Sequence, residues 1–191
     1  MRNADATRER ILEAAMAEFS ANGIAGARVD RIAKSAGCNK NLIYIYFESK
    51  EALFGTILQK HLTRVYNELS FTVDNLPAYA TRVFEFAMLN PDLMRLLAWS
   101  SLEQKTAGPP ERNEAVESKL GMLSSAQKAG LLKDTFPPAF LLIAIMTLAT
   151  AWSAASPFGA TLDSTPHEEN AKLREYIASA ISLLTGPAAP S

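Results

Sequence analysis

The sequence has few of the side chains that most often carry catalysis or cross-links. It contains one cysteine, Cys38, and two histidines, His61 and His167. A single cysteine excludes an internal disulfide and favours a reducing, cytoplasmic setting. Cys38 is interpreted as a small buried residue, and a redox-sensing thiol is the alternative. The histidines lie far apart without partners at metal-ligand spacing, so no metal or other cofactor is predicted.

Motifs for nucleotide binding, acyl transfer and secretion are also missing. No glycine-rich phosphate loop and no Gly-x-Ser-x-Gly motif occurs in the sequence. The opening residues, MRNADATRER, are polar and charged, so no secretory signal is predicted. An enzyme is therefore the weaker interpretation, and a binding protein is favoured.

Strand patterns are almost absent, whereas helical periodicity runs through nearly the whole chain. The 191 residues are 48% hydrophobic and 20% charged, which suits a globular protein with a sizeable core. The net charge is −1, but residues 1–50 hold eight basic and six acidic side chains. This excess places any affinity for phosphate in the first quarter of the chain. The predicted fold class is all-α.

Three short helices are predicted in the first fifty residues. The first spans about residues 5–20, from Asp5 as a cap, and stops at Asn22-Gly23, because both of those residues tolerate a left-handed backbone. The second is closed by Gly37, and the third follows Asn39, an efficient cap. Two helices joined in this way fit a helix-turn-helix, whose second helix enters the major groove of DNA.

The third helix is predicted to bury Ile43 and Phe47, which leaves a row of outward side chains. Lysine can reach phosphate or guanine, asparagine can pair with adenine, aliphatic side chains can pack on thymine methyl groups, and tyrosine can bond phosphate. The same spacing also fits two helices that meet at a glycine turn in any helical bundle. The candidate DNA contacts on this helix are Lys40, Asn41, Leu42, Tyr44 and Ile45.

The segment TRERILEAAMAEFSANG, followed by VDRIAKSAGCNKNLIYIYFESKEALF, resembles the DNA-binding domain of the TetR family of bacterial transcriptional regulators. The resemblance implies a three-helix DNA-binding domain at residues 1–52 and a larger all-helical regulatory and dimerisation domain at residues 53–186. A flexible tail is expected at residues 187–191. The matching positions are Ile11, Leu12, Ala14, Ala15, Phe19, Gly23, Ile32, Ala33, Ala36, Gly37, Tyr44, Tyr46, Phe47, Lys50 and Leu53.

The resemblance also implies roles for single residues. Tyr44, Tyr46 and Lys50 are expected to meet the DNA backbone, and the other outward residues of the third helix to face bases or nearby phosphates. The chain departs from the family pattern where the second helix opens, because a capping Thr or Ser is usual there and Arg28 is present instead. Arg28 is expected to supply the phosphate contact by its charge. Further departures in the turn and the third helix leave the operator sequence open.

The later helices are predicted at about residues 50–69, 77–89, 91–104, 111–129, 138–156 and 167–185, with a loop at 156–166. Between Asp134 and Asp163 lie 28 residues without charge, which raises a membrane-associated helical protein as an alternative. Prolines and Gly159 shorten the usable helix there to about 18 residues, the low end of the ~17–25 that span a bilayer. A buried helix or a subunit interface is favoured.

The last helix carries an apolar stripe that is the predicted dimer interface, together with the apolar helix before it. Helix-turn-helix proteins usually dimerise so that two recognition helices reach successive half-sites. The resemblance supports a four-helix bundle formed by the two C-terminal helices of each subunit. The alternative is that the stripe belongs to the core of its own chain. The stripe comprises Leu173, Ile177, Ile181 and Leu184.

A small-molecule pocket is implied by the resemblance. Methionine and tryptophan side chains often line apolar pockets, although each is also an ordinary core residue. No pair of ionisable residues suggests a clamp for a charged ligand, so a mostly apolar or aromatic effector is expected. The candidate lining residues are Met88, Met94, Trp99, Met122, Met146 and Trp152.

The favoured function is a ligand-responsive repressor that binds a palindromic DNA operator as a homodimer and leaves it when the effector binds. A constitutive DNA-binding regulator, or an activator without an effector, stays open as the alternative.

Overall fold

A computed structural model describes residues 2–103, 110–162 and 170–186, and every regular element in these ranges is helical. The longer helices follow the periodicity of the sequence, since apolar residues spaced three and four apart face a core. In chain order they are α1 (Arg2–Gly26), α2 (Val29–Ala36), α3 (Lys40–Phe47), α4 (Lys50–Glu68), a 3₁₀ turn (Val73–Asn75), α5 (Leu76–Leu89), α6 (Pro91–Glu103), α7 (Pro110–Lys128), α8 (Pro138–Thr150), α9 (Gly159–Leu162) and α10 (Asn170–Thr185).

The described residues fall into two compact units. The first lies within Met1–Arg64 and Asn90–Pro109, and the second lies within Val65–Leu89 and Pro110–Ser191. This division follows packing and differs from the predicted domains at 1–52 and 53–186, because α6 packs on α1. The division of function between those domains stays a prediction, and the predicted tail at 187–191 lies outside the described residues.

The core of the first unit is built from α1 to α4 together with α6, which buries Leu93 and Leu96. Phe19 of α1 meets Phe54 of α4 edge to face, with ring centroids 5.2 Å apart. Ile32 of α2 and both Ile43 and Phe47 of α3 are also buried. Helices as short as α2 and α3 are marginal in isolation, so this shared burial is what holds them in place.

A break in α1 occurs near its C-terminal end at Gly23, whose backbone has φ 67° and ψ −178°. The sequence predicted this stop, whereas Asp5 lies in the first turn of the helix and not at its cap. After the break, the Ile24 and Ala25 N–H groups donate to the Glu103 carboxylate at 2.9 and 3.1 Å. The last residue of α6 therefore satisfies backbone donors that the break leaves free.

Two more side chains of α6 are bonded to α1. Trp99 Nε1 donates to the Ser20 carbonyl oxygen at 3.2 Å, and the Ser20 hydroxyl donates to the Asp92 carboxylate at 3.3 Å. The space over Gly23 is filled by the same helix: a Cβ at Gly23 would lie 2.4 Å from Glu103 Oε1 and 2.9 Å from the Trp99 ring. Conformation and close approach both require glycine at this position.

One apolar core joins α5, α7, α8 and α10 in the second unit. Tyr79 and Phe84 of α5 are its largest buried side chains. Leu123 of α7, Ile145 of α8 and Ile181 of α10 are fully buried in the same cluster. Each of these helices therefore contributes at least one side chain to a shared interior.

The end of α8 differs from the prediction. A helix to residue 156 is wrong, because α8 stops at Thr150, and the described part of the predicted loop at 156–166 contains α9. The backbone of Gly159 lies against the end of α8, where a Cβ would be 2.3 Å from the Ala151 carbonyl oxygen and 2.6 Å from Trp152 Cα. Within the described ranges, no helix is both long and apolar enough to cross a membrane.

Candidate nucleic-acid interface

The turn between α2 and α3 is built by three residues of different chemistry. Gly37 ends α2 with a left-handed backbone at φ 63° and ψ 41°. The Cys38 N–H then donates to the Ala33 carbonyl oxygen at 3.0 Å, and the Cys38 side chain is half-buried. Asn39 begins α3, since its Oδ1 accepts the Asn41 N–H at 2.9 Å. The predicted stop and the predicted cap are both confirmed.

The third helix, α3, buries one face and exposes the other. Ile43 is 1% exposed and Phe47 is 4% exposed, as predicted from their spacing. Ile45 is 74% exposed although it is aliphatic, so packing within the chain does not account for it. The other outward side chains differ in exposure: Lys40, Asn41 and Tyr44 are exposed, and Leu42 and Tyr46 are half-buried.

The N-terminus of α2 is capped by a side chain of α1. Arg28 occupies the cap position, and its own side chain makes no capping bond. Its backbone N–H donates to Glu18 Oε1 at 2.9 Å, and Arg31 Nε donates to the same oxygen at 2.8 Å. Glu18 thus supplies the cap that the residue types at positions 27 and 28 lack.

Opposing influences act on the Glu18 carboxyl. Burial raises its pKa, since the side chain is only 12% exposed, but the hydrogen bond from Arg31, the Arg28 N–H and the charges of both arginines outweigh burial. The pKa therefore lies below its ordinary value of 4.5. Glu18 is ten positions from Arg28, and no local pattern in the sequence predicts this contact.

An ion pair connects the first turns of α2 and α3. Lys40 Nζ lies 2.9 Å from Asp30 Oδ1. The hydrogen bond from Lys40 and its positive charge hold the pKa of Asp30 below its ordinary value. The hydrogen bond that Asp30 accepts, together with its negative charge, raises the pKa of Lys40. Arg28 adds a second positive charge that acts on Asp30. Sequence reasoning missed Asp30 as part of the interface.

An open cavity of about 360 Å³ lies beside this ion pair. It gathers four of the predicted DNA contacts with residues from the starts of α2 and α4. Cationic side chains next to the N-termini of helices form a surface suited to a phosphate oxygen. Glu48 and Glu51 add negative charge at its edge. The other polar lining residues are Arg28, Asp30, Lys40, Tyr44, Ser49 and Lys50.

Two of the predicted DNA contacts, Lys50 and Tyr46, bond atoms of the chain itself. Lys50 Nζ donates to the Ala27 carbonyl oxygen at 3.1 Å, and the Tyr46 hydroxyl donates to the Ala4 carbonyl oxygen at 3.3 Å. A lysine keeps two more donors after such a bond, whereas a tyrosine keeps none. Contact of Tyr46 with phosphate stays a prediction, and it would require this bond to Ala4 to break.

The candidate pocket residues are divided between the two units, so the predicted pocket stays a prediction. Met94 and Trp99 lie on α6 in the first unit, where Trp99 is bonded to α1. The other four belong to the second unit: Met88 and Trp152 pack against its core, and Met122 and Met146 are partly exposed.

The stripe predicted as the dimer interface faces the core of its own chain. Ile177 is 2% exposed and Ile181 is fully buried, while Leu173 and Leu184 pack against the same cluster. Ile177 and Ile181 thus have almost no surface to offer a second subunit, which agrees with the alternative that the stripe is intramolecular core. Other faces of α8 and α10 carry exposed apolar side chains. These are Phe140, Ile143 and Met146 on α8, and Tyr176 and Leu183 on α10.

Family models match both parts of the chain. A model described as bacterial regulatory proteins of the tetR family matches residues 11–57, which include α2 and α3. A second model, described as a tetracyclin repressor-like C-terminal domain, matches residues 75–182. The second match alone covers more than half of the sequence.

Two bacterial transcriptional repressors are similar to this chain over most of its length. The HTH-type transcriptional repressor SCO4008 of Streptomyces coelicolor is 36% identical over 159 residues, which are 82% of each chain. The HTH-type transcriptional repressor NicS of Pseudomonas putida is 32% identical over 157 residues, or 74% of each chain. Both similarities extend well beyond the helix-turn-helix.

Solved structures share the fold. SCO4942 of Streptomyces coelicolor superposes with a TM-score of 0.82 at 34% identity, covering 95% of this chain and 99% of the other. A TetR transcriptional regulator from Chloroflexus aurantiacus superposes with a TM-score of 0.69 at 23% identity, covering 98% of this chain and all of the other. The all-α architecture predicted from periodicity is confirmed.

Proposed function

The chain belongs to the TetR family of bacterial regulatory proteins, and on this basis we propose that it is a transcriptional repressor that binds a palindromic operator as a homodimer. The observation that carries the proposal is α3 itself. It is held by burial of Ile43 and Phe47, and it exposes Lys40, Asn41 and Ile45 together. Exposed amide, ammonium and aliphatic groups on one short helix match the chemistry of base edges in the major groove.

The proposed docking places the N-terminal half of α3 in the groove. Asn41 pairs with adenine, Ile45 packs on a thymine methyl group, and Leu42 covers a neighbouring apolar edge. Arg28, Tyr44 and Lys50 bind backbone phosphates around the 360 Å³ cavity and fix the register of α3. Tyr46 positions the end of α3 through its bond to Ala4.

The homodimer is proposed to form through the exposed apolar faces of α8 and α10. Ile143 is 65% exposed, Leu183 is 78% exposed and Tyr176 is 65% exposed. Side chains of this kind are costly in water, and association would bury them. Two copies of α3 would then reach half-sites about 34–36 Å apart, one turn of the DNA helix.

Release by a small, mostly apolar effector completes the proposed mechanism. An effector can shift the protein away from DNA only if it binds better to a conformation with the wrong half-site spacing. The chain passes directly from α5 of the second unit into α6 of the first at Asn90, and α6 is bonded to α1 by Trp99 and Glu103. We propose that a shift of α6 changes the position of α1.

The same proposal places the protein in the cytoplasm, with its DNA, and assigns it no catalytic activity. Among the described residues, no cluster of His, Cys, Asp and Glu could hold a metal ion. DNA binding needs only the charged and hydrogen-bonding side chains already named.

Selection of bound duplexes from a random pool tests the function. We expect enrichment of a two-fold symmetric site whose half-site centres are one helical turn apart. Ile45→Asp should abolish enrichment, since it directs a carboxylate at the groove without disturbing the core. Leu89→Asp is the matched control, because Leu89 is comparably exposed on α5 and its variant should select the wild-type site. No enrichment by the wild-type chain at low salt would refute the proposal.

A further inference from the structure

The ion pair between Asp30 and Lys40 puts a negative charge on a surface that we propose to bind DNA. Surfaces that bind DNA gain affinity from cations that neutralise phosphates, and an anion among them weakens that attraction. Asp30 nevertheless lies in the same cavity as Arg28, Lys40 and Lys50. Its carboxylate takes the lysine that starts the recognition helix as its partner, at 2.9 Å.

The ion pair between Asp30 and Lys40 contributes little to the stability of the fold. The Lys40 side chain is 46% exposed and the Asp30 side chain is 57% exposed. Ion pairs with this much solvent around them contribute little to folding. The position of Asp30 in the first turn of α2 also favours a negative charge there, and that local effect requires a separate control.

The geometry leaves Lys40 able to bind a second partner. An ammonium group has three N–H donors, and the bond to Asp30 uses one. Guanine offers two acceptors, O6 and N7, on its major-groove edge, and the first residues of a recognition helix are those that reach base edges. Phosphate, by contrast, attracts any lysine that is free to move.

We propose that Asp30 is a positioning residue for specificity, which holds Lys40 on a guanine of the operator and away from backbone phosphates. This inference rests on the proposed function. On arbitrary DNA, the held lysine finds no guanine at the required position and neutralises no phosphate, so the complex is weaker. At the operator, the two remaining N–H groups of Lys40 donate hydrogen bonds to O6 and N7 while the bond to Asp30 persists.

The central experiment compares Asp30→Asn with the wild type on the selected operator and on a random duplex, over a series of salt concentrations. The variant frees Lys40, so its affinity for random DNA should rise and its log–log salt slope there should steepen by about one contact. Affinity for the operator should change much less. The ratio of operator to random affinity should fall on the order of tenfold, in line with one lost base discrimination.

Three variants separate positioning from a loss of structure or charge. Asp74→Asn makes the same change of net charge at an exposed site in the second unit and should leave both salt slopes unaltered. Asp30→Glu keeps the carboxylate and should keep the shallow slope on random DNA. In a Lys40→Met background, Asp30→Asn should no longer steepen that slope, since no lysine is released.

Two results would overturn the inference while leaving the proposed function intact. One is an operator selected by Asp30→Asn that retains the full guanine preference of the wild type. The other is a slope change of equal size with and without Lys40. If the wild-type chain selects no site at all, the proposed function itself fails, and that outcome is distinct from both.

Discussion

At the scale of single residues, the start of α2 depends on the carboxylate of Glu18. That carboxylate accepts the Arg28 N–H at 2.9 Å and the Arg31 guanidinium at 2.8 Å, and it lies largely out of solvent. Helices lose about 1 kcal/mol when a capping side chain is removed. Glu18 therefore satisfies the first backbone donor at the start of α2 and adds a polar contact to the apolar packing that holds α2 on α1.

Glu18→Gln keeps an oxygen that can accept the Arg28 N–H but removes the negative charge that Arg31 faces. Because hydrogen bonds to charged groups are stronger than those to neutral groups, the free energy of unfolding should fall by about 1 kcal/mol at neutral pH. Because the folded pKa of Glu18 lies below 4.5, its contribution is fully present above that pH and is lost as the pH falls through the folded pKa. Urea unfolding at several pH values should show the difference between wild type and Glu18→Gln narrowing in acid. Glu13→Gln, at an exposed position of the same helix, is the control. A difference independent of pH would contradict this account.

Asn41 and Tyr44 should respond differently to the loss of their polar groups. Asn41→Ala should relax the preference at one A·T pair, with a cost of about 1–3 kcal/mol at that position, while the backbone bond from residue 41 to Asn39 survives. Tyr44→Phe should weaken binding by about 1 kcal/mol on every sequence, since a phosphate contact carries no sequence information. Binding to the operator, a single-base variant and a random duplex distinguishes them. Equal losses on all three duplexes for Asn41→Ala would remove its assigned role.

The parts of the site that depend on local chemistry were predictable, and those that depend on tertiary contact were not. Gly37 and Asn39 act within a few residues of themselves, so their stop and cap follow from residue type. The partners of Glu18 and Asp30 lie ten or thirteen positions away, and only the packing of two helices brings them together. The bond from Tyr46 to Ala4 spans 42 positions and is equally invisible in the sequence.

At the scale of elements, α6 packs over the break in α1 and bonds the backbone that the break exposes. Gly23 has a backbone conformation open almost only to glycine, and Glu103 and Trp99 cover it closely. Gly37 also has a positive φ, but nothing lies within 4 Å of where its Cβ would stand. A substitution at Gly37 therefore tests backbone strain alone, whereas one at Gly23 tests backbone strain together with close packing.

Gly37→Ala should cost about 1–2 kcal/mol, the penalty of a left-handed backbone alone. Gly23→Ala should cost more, because the added methyl group would also displace Glu103 or Trp99 and release the backbone donors that Glu103 satisfies. Urea unfolding of both variants under the same conditions gives the comparison. A larger loss for Gly37→Ala than for Gly23→Ala would show that the contact between α1 and α6 carries no such role.

Most helix boundaries followed from periodicity, caps and breakers, and the exceptions have a common cause. The predicted start of the third helix after Asn39 and the predicted start of the next helix at about residue 50 agree with α3 and α4. The predicted overrun of α8 past Thr150 failed because Gly159 packs against the backbone at Ala151. A close approach between two segments is a tertiary contact, which sequence periodicity does not reveal. The apolar residues after Thr150 contain no local signal that would end the helix.

At the scale of the whole molecule, chain order and packing do not coincide. The sequence suggested that everything after residue 52 forms one regulatory body, yet α6 packs with the N-terminal helices. The fold class was predictable because periodicity is repeated in every segment. The packing partner of α6 was not predictable, since an apolar stripe shows that a helix face is buried but not which helix covers it.

The exposed apolar face of α8 and α10 gives the prediction that belongs to this scale. Leu183→Glu should convert a dimer into a monomer at micromolar concentration, because a carboxylate would be buried without a partner. Operator affinity should fall with it, while the helix content stays the same. Val116→Glu, at an exposed position of α7, is the control. Sedimentation equilibrium provides the measurement, and a variant that remains dimeric would move the interface elsewhere.

The bond from the Tyr46 hydroxyl to the Ala4 carbonyl has a practical consequence for handling this protein. An affinity tag fused ahead of Met1 would end four positions before Ala4 in the sequence. Extra peptide at that end adds charge and bulk near the last turn of α3. Purified material with an uncleaved leader can thus report a DNA affinity that belongs to the fusion and not to the protein.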